Sequence, residues 1–194
     1  AYAYEPGPDN ADEDTPWWAA PPARFAPHLV ALRDLEQRTA EVGGVVLRFG
    51  HLYGPGSIYA ADGSFVRQVR AGRTPLIGGG TATYSFTHAH DAATAVVAAL
   101  DKDASGALNV VDDEPAPMHV WLPVLAEILG ARKPRRIPAA LARPVIGDIG
   151  VAWTTRLRGA DNSRAKTALD WRPWHASWRA GFAAELQAPA VAWG

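Results

Sequence analysis

The sequence predicts an α/β protein in which a mostly parallel sheet carries helices on its faces. Three observations support that class. Val45–Phe49 and residues 108–111 are short, largely apolar runs, the pattern of strands covered on both sides. Stretches with apolar residues three to four apart alternate with them, as helices packed on a sheet require. Gly43-Gly44, Tyr53-Gly54-Pro55-Gly56 and Gly78-Gly79-Gly80 punctuate the two kinds of segment.

In chain order, Ala1-Tyr2-Ala3-Tyr4 reads as the end of a strand, and a start at Ala1 suggests a truncated or processed product. Residues 5–24, rich in Pro, Asp and Ala without a sustained period, read as a long surface loop pinned by Trp17 and Trp18. Residues 25–42 put Leu29, Leu32 and Leu35 on one helical face. Gly43-Gly44 close that helix, because glycine accepts the left-handed backbone of a C-terminal cap. The strand Val45–Phe49 follows directly. Residues 64–71 read as a helix, 76–80 as a strand ending in a tight turn, and 83–87 as one further alternating strand. Asp91 stands where an N-cap would open a helix over 92–100, accepting from free N–H groups of the first turn. After the strand at 108–111, residues 118–129 form a helix ended by Gly130. Pro123 is expected to be tolerated there only because it lies in the helix's first turns. The remainder reads as helical and looped, closing with a helix over 178–186.

Composition bounds the partners. The 194 residues, 48% hydrophobic and 20% charged, suffice for one domain or slightly more with a real core. With 19 basic and 20 acidic residues the net charge is -1, so no global field favours nucleic acid or an anionic membrane. The absence of cysteine removes disulfides and thiolate metal sites and agrees with a reducing cytosol, so a cytoplasmic location is expected. No stretch approaches the roughly 20 apolar residues of a membrane span, and the first residues lack a basic-then-apolar signal pattern.

Four motifs point to a family. Leu-Arg-Phe-Gly-His-Leu-Tyr-Gly-Pro-Gly at 47–56, Phe-Thr-His-Ala-His-Asp-Ala-Ala at 86–93, Gly-Ala-Leu-Asn-Val-Val-Asp-Asp-Glu-Pro at 106–115 and Leu-Asp-Trp-Arg-Pro at 169–173 occur in that order. Together they resemble the C-terminal portion of the NAD(P)-dependent epimerase/dehydratase family, the extended short-chain dehydrogenase/reductases, over nearly the whole chain. The resemblance implies a partial Rossmann-type parallel sheet with a small α/β substrate-binding cap. Residues 1–100, with 101–112 contributing, would be the C-terminal part of the NAD(P)-binding domain, and residues 113–194 the cap. It implies NAD or NADP as cofactor and a sugar nucleotide or related small molecule as substrate. The family's glycine-rich turn, whose following helix holds the dinucleotide pyrophosphate, has no counterpart here. Gly78-Gly79-Gly80 leads into the strand-forming Thr81-Ala82-Thr83-Tyr84 instead, so this chain alone is expected to bind NAD(P) poorly.

The family's catalytic tyrosine and lysine stand four residues apart, on one helix face, so that the lysine lowers the phenol pKa. No Tyr-x-x-x-Lys occurs in this sequence. The resemblance puts the tyrosine slot on Phe25 or His28 and the lysine slot on Leu29 or Leu32, and the first lysine is Lys102. His28 is the candidate catalytic residue, since an imidazole titrates near neutrality unaided. Phe49, Gly50 and His51 leave a strand at its carboxyl end, where α/β ligands sit, and are the candidate cofactor contacts. Tyr53, Tyr84 and Arg67 are candidate substrate contacts. Tyr84 occupies the slot where the family often carries a diphosphate-gripping arginine, and Arg67, Arg70 and Arg73 offer cationic charge nearby.

His88, His90 and Asp91 suggest a metal, because imidazoles two apart on a strand share a face. No third histidine stands at a metal-binding spacing, so no metal is assigned. The resemblance instead makes His88 and Asp91 a seam between a strand and the next helix. Trp153, Trp171, Trp174, Trp178 and Trp193 call for burial in the cap. An unpaired strand edge would promote homo-oligomers. Two rivals to the enzyme reading remain: a non-catalytic binding module, and a metal-dependent hydrolase built on His88, His90 and Asp91.

Overall fold

The computed structural model describes residues 3–187. Its elements run α1 (Ala26–Glu41), β1 (Val45–Phe49), β2 (His51–Tyr53), α2 (Ser64–Arg70), β3 (Leu76–Ile77), β4 (Thr83–Tyr84), β5 (Phe86–His88) and α3 (Ala89–Asp101). They continue with β6 (Gly106–Val110), β7 (Ala116–Pro117), α4 (Met118–Ile128), β8 (Arg136–Ile137), α5 (Ala139–Thr155), α6 (Ser163–Leu169) and α7 (Trp178–Gln187). β1 pairs in parallel with β6 from Val45↔Gly106 to Phe49↔Val110. β2 with β5 and β3 with β8 are also parallel, and only β4 with β7 is antiparallel. The class is therefore α/β, with parallel pairing dominant.

The first helix and strand form as their periodicity requires. Pro27 lies in the opening turn of α1, where a missing N–H costs nothing, and Gly43 ends the helix at φ 70°. The expected strand over 83–87 instead divides at Ser85, whose carbonyl accepts from the His51 N–H (2.8 Å) while its hydroxyl accepts from the Ala160 N–H (2.8 Å). On one side of Ser85 the chain pairs with β7, on the other with β2. The helix expected over 92–100 opens three residues earlier. His88 is its N-cap, with a side chain that accepts from the His90 N–H, and this frees Asp91 for other partners. β7 and β8 lie in segments without a strand pattern, and α5 is kinked at Gly147 (φ 68°).

The loop over 5–24 is held closely against the sheet. The Tyr4 hydroxyl donates to Asn109 Oδ1 (2.5 Å), the Asn109 N–H donates to Glu13 Oε1 (2.7 Å), and the Ala11 N–H donates to the Gly159 carbonyl (2.7 Å). Trp18 is fully buried beside Phe25 and so pins the loop. One core cluster joins Trp18, Tyr53, Phe86, Trp121, Trp178 and Phe182, and a second packs Leu108, Val110, Leu169 and Trp171 against α3 and α6. Trp174 breaks the expectation of tryptophan burial: its ring is 82% exposed while its backbone N–H is held by Asp91. Trp193 lies outside the described residues. Among the described residues no helix is long and apolar enough to cross a membrane.

Candidate functional site

Three groups of side chains converge where β1, β2 and β5 end. The first lines a cavity of about 330 Å³ beside β1, where Phe49, Gly50 and Leu52 lie with Tyr4, Trp17 and Leu32. Gly50 is fixed from behind: its N–H donates to Thr87 Oγ1 (2.9 Å), and a Cβ there would collide with the Ser85 carbonyl. Only glycine lets β1 run this close to β5.

The second group is a run of aromatic rings. His28, exposed on α1, stacks on Phe25 (centroids 6.1 Å apart), Phe25 meets Trp153 edge-on (6.0 Å), Trp153 meets His51 edge-on (5.8 Å), and His51 stacks on Tyr84 (4.3 Å). His51 keeps part of its surface accessible, yet its ring nitrogen Nε2 is enclosed, and burial drives its pKa down to about 3. The imidazole is therefore neutral across physiological pH. Tyr84, whose hydroxyl donates to the Trp153 carbonyl (2.9 Å), is also buried, and burial raises its phenol above the ordinary range. It is packed as a wall and offers no charge to a diphosphate.

The third group lies behind the second and is polar. Tyr53 has no exposed surface and is wedged between Phe182 (4.7 Å) and His88 (4.9 Å), with its hydroxyl over Gly181, where a Cβ would collide with it. Burial, reinforced by Asp112, raises its pKa. His88 Nδ1 accepts from the His90 N–H (3.1 Å), so the proton sits on Nε2 and is donated to Glu185 Oε1 (3.1 Å). Burial lowers the pKa of His88, and the neighbouring His175 adds to that. Asp91 accepts from the Trp174 N–H (2.8 Å) and the His175 N–H (2.9 Å). Asp112 accepts from the Trp178 N–H (2.8 Å) at the start of α7, but burial outweighs that donor and pushes its pKa up to about 8.

These placements sort the expected site residues. Phe49 and Gly50 share the β1 cavity, His51 and Tyr84 share the aromatic run, and Tyr53 sits behind both. Arg67 is exposed on α2, where it donates to the Asp62 carbonyl and lines neither. The metal trio forms differently from its sequence version: His90 is exposed, and the groups drawn within 4.8 Å are His88, Asp91 and His175. The rings of His88 and His175 are stacked, 3.7 Å apart and 27° from parallel. Lone pairs in the planes of stacked rings run side by side and do not converge on one ion, and both nitrogens of His88 already have partners. The trio is a hydrogen-bonded seam. Sequence reasoning does not single out Trp153, Asp112, His175 or Glu185 as site residues. The acidic run Asp112-Asp113-Glu114 directly after β6 was the one signal for Asp112.

The NAD(P) fit is confined to one end of the cofactor. The β1 cavity is lined mainly by apolar side chains together with the Arg48–Glu36 ion pair, and at its Phe49–Gly50 end, the strand's carboxyl end, it offers an apolar environment for a nicotinamide ring. Among the described residues no glycine-rich turn opens a helix toward a pyrophosphate.

Comparisons with known proteins agree with this architecture. Residues 3–111 match the profile of the NAD dependent epimerase/dehydratase family. A 3-diazoavenalumate denitrifying reductase from a Streptomyces species is 47% identical over 189 residues, covering 95% of this chain and 62% of the reductase. Human epimerase family protein SDR39U1, solved with NADPH, superposes with a TM-score of 0.72 at 20% identity, covering 96% of this chain and 63% of that one. A functionally unknown conserved protein from Silicibacter pomeroyi gives 0.74 at 25% identity, covering 96% and 62%. The chain thus spans somewhat under two thirds of the length of the relatives it matches.

Proposed function

Because the chain belongs to the NAD-dependent epimerase/dehydratase family, we propose that it is the substrate-side part of an NAD(P)H-dependent reductase acting on a small anionic aromatic diazo compound. The observation that carries this reading is the aromatic run Phe25–Trp153–His51–Tyr84 around an imidazole held neutral. Phe25 and Tyr84 are buried supports, and the partly accessible His51 and Trp153 are the members that a planar aromatic ring would meet. The reductase at 47% identity supports the substrate class through its name.

Reduced nicotinamide, when bound, supplies a hydride. Phe49 and Gly50 would hold its ring at the end of β1 and keep water from that face. Such a hydride would convert an aryl diazonium to the arene, a C–H bond replacing the C–N bond: ArN2+ and NAD(P)H would give ArH, N2 and NAD(P)+. Atoms and charge balance without a proton donor at the reacting atoms. That balance is compatible with a tyrosine slot, Phe25 or His28, that holds no phenol and a lysine slot, Leu29 or Leu32, that holds no lysine. The sugar-nucleotide reading has less support, since Tyr84 fills the arginine slot and is buried. The same reading places the protein in the cytoplasm, takes a small molecule as its partner, and allows a homo-oligomer through the exposed Val30 and Leu35 of α1.

The test is turnover of an aryl diazonium carboxylate by the longer protein of which this chain is proposed to be the substrate-side part, with NADPH carrying deuterium at C4. Release of N2 with deuterium on the former C–N carbon is the expected result; deuterium absent from the product, or no N2, sinks the proposal. H28A separates this from a proton shuttle on His28: hydride-only chemistry predicts a kcat within threefold of the parent, a shuttle predicts a loss on the order of a hundredfold.

A further inference from the structure

A second cavity, of about 440 Å³, opens at the C-terminal ends of α2 and α4 and shares no lining residue with the β1 cavity. Arg70, Arg132, Lys133 and Arg135 line it, and Arg67 and Arg73 flank it in the chain. We infer that this cavity is an anion-binding site for a phosphate or diphosphate ester group, built by two chain segments that bring their cations to one concavity.

The ordinary explanation for cations at helix ends is that they satisfy the last carbonyls. Here those carbonyls already have partners. At the end of α2 the Gly72 N–H donates to the Val69 carbonyl (2.9 Å) and the Arg73 N–H to that of Gln68 (2.9 Å). At the end of α4 the Gly130 N–H donates to Glu127 (3.0 Å) and the Ala131 N–H to Ala126 (2.8 Å). Both glycines are left-handed, at φ 66° and 61°, so each end is a closed Schellman turn. The helix ends do not need the guanidinium groups, of which Arg67 and Arg70 each give one donor to a loop carbonyl, of Asp62 and Ala61.

Nor do carboxylates neutralise them. Residues 63–90 and 128–147 contain no Asp or Glu, and none of the six cations forms an ion pair among the described residues. Glu127, the nearest acid along α4, does not line the cavity. Clustering like charge in a chain whose net charge is only -1 is self-repulsive until an anion enters. Arg70 is also held in place, donating through Nη1 to the Ala61 carbonyl (2.9 Å), so part of its side-chain entropy is already lost before binding. Three arginines and a lysine around one hollow match the donor fork and point charge that phosphate oxygens accept best.

The experiment is a calorimetric titration of the purified protein with inorganic pyrophosphate in low-salt buffer at pH 7.5. We expect saturable binding that R132Q/K133Q weakens at least tenfold and that R70Q weakens independently. The control K102Q/R143Q, which removes two exposed cations elsewhere, should leave it unchanged. Circular dichroism and the thermal midpoint of each variant exclude unfolding as the cause. Absence of saturable heat, binding that persists in R132Q/K133Q, or an equal loss in the control each overturns the site.

Discussion

Replacing Asp112 by asparagine is expected to stabilise the protein by about 3 kcal/mol at pH 8 and to flatten its stability between pH 4 and 8. The side chain is 2% exposed, its Oδ2 accepts from the Trp178 N–H, and Oδ1 has no protein partner among the described residues. Burial lifts its pKa from 3.8 to about 8. The folded chain therefore keeps a proton that the unfolded chain releases above about pH 4. The stability linked to this proton is complete below the unfolded value, falls as pH rises toward the folded value, and is constant beyond it. Each unit of the rise corresponds to about 1.4 kcal/mol, for a ceiling near 6 kcal/mol, and local relaxation leaves roughly half of that. Asparagine has the same shape, presents a carbonyl oxygen to Trp178 and carries no charge to desolvate. Urea unfolding at unit steps from pH 4 to 8 reads the difference directly. Parallel curves for parent and D112N, or a variant less stable at pH 8, would refute the reasoning.

His51 works in the opposite direction, since burial lowers its pKa to about 3. Stability linked to it is present above the unfolded value and lost as pH falls, by about 2 kcal/mol between pH 7 and 5; H51F keeps the ring stack and should remove that loss in urea titrations at the two pH values. G181A places a methyl against the Tyr53 hydroxyl and should cost about 2 kcal/mol by denaturant midpoint. Y53F in the G181A background should restore at least half of it, and an additive double variant would disprove the clash. Y84F removes the bond to the Trp153 carbonyl and should lower stability by about 1 kcal/mol while shifting tryptophan emission; an unchanged midpoint contradicts the assigned bond.

What was legible in the sequence was whatever depends on neighbours along the chain. α1 and β1 follow from periodicity and a closing glycine, and parallel pairing follows from apolar runs separated by helices. The division at Ser85 was hidden because alternation records which face a residue presents, not which strand it pairs with. β7 and β8 exist only through their partners: the Met118 N–H reaches the Ala82 carbonyl, and the Leu76 N–H reaches that of Arg135. The cap of α3 was misplaced because an imidazole accepting through Nδ1 is a rarer cap than a carboxylate three residues on. Asp91 and His175 are 84 residues apart, a separation at which no spacing rule operates.

The polar seam also accounts for how the aromatic run is positioned. Asp91 accepts the N–H groups of Trp174 and His175, and Asp112 accepts that of Trp178, so two buried carboxylates fix the backbone entering α7 at both ends of a short turn. That fixes where Gly181 and Phe182 lie, and they form the only ground on which the Tyr53 ring fits, since any side chain at 181 would meet its hydroxyl. Tyr53 in turn packs edge-on against Phe86 (6.2 Å), and Phe86 supports both His51 (5.9 Å) and Tyr84 (6.1 Å). A close-packed interior transmits displacement because no gap absorbs it. The position of the neutral imidazole at the candidate site is thus set by carboxylates that never touch it, through a helix near the end of the described chain.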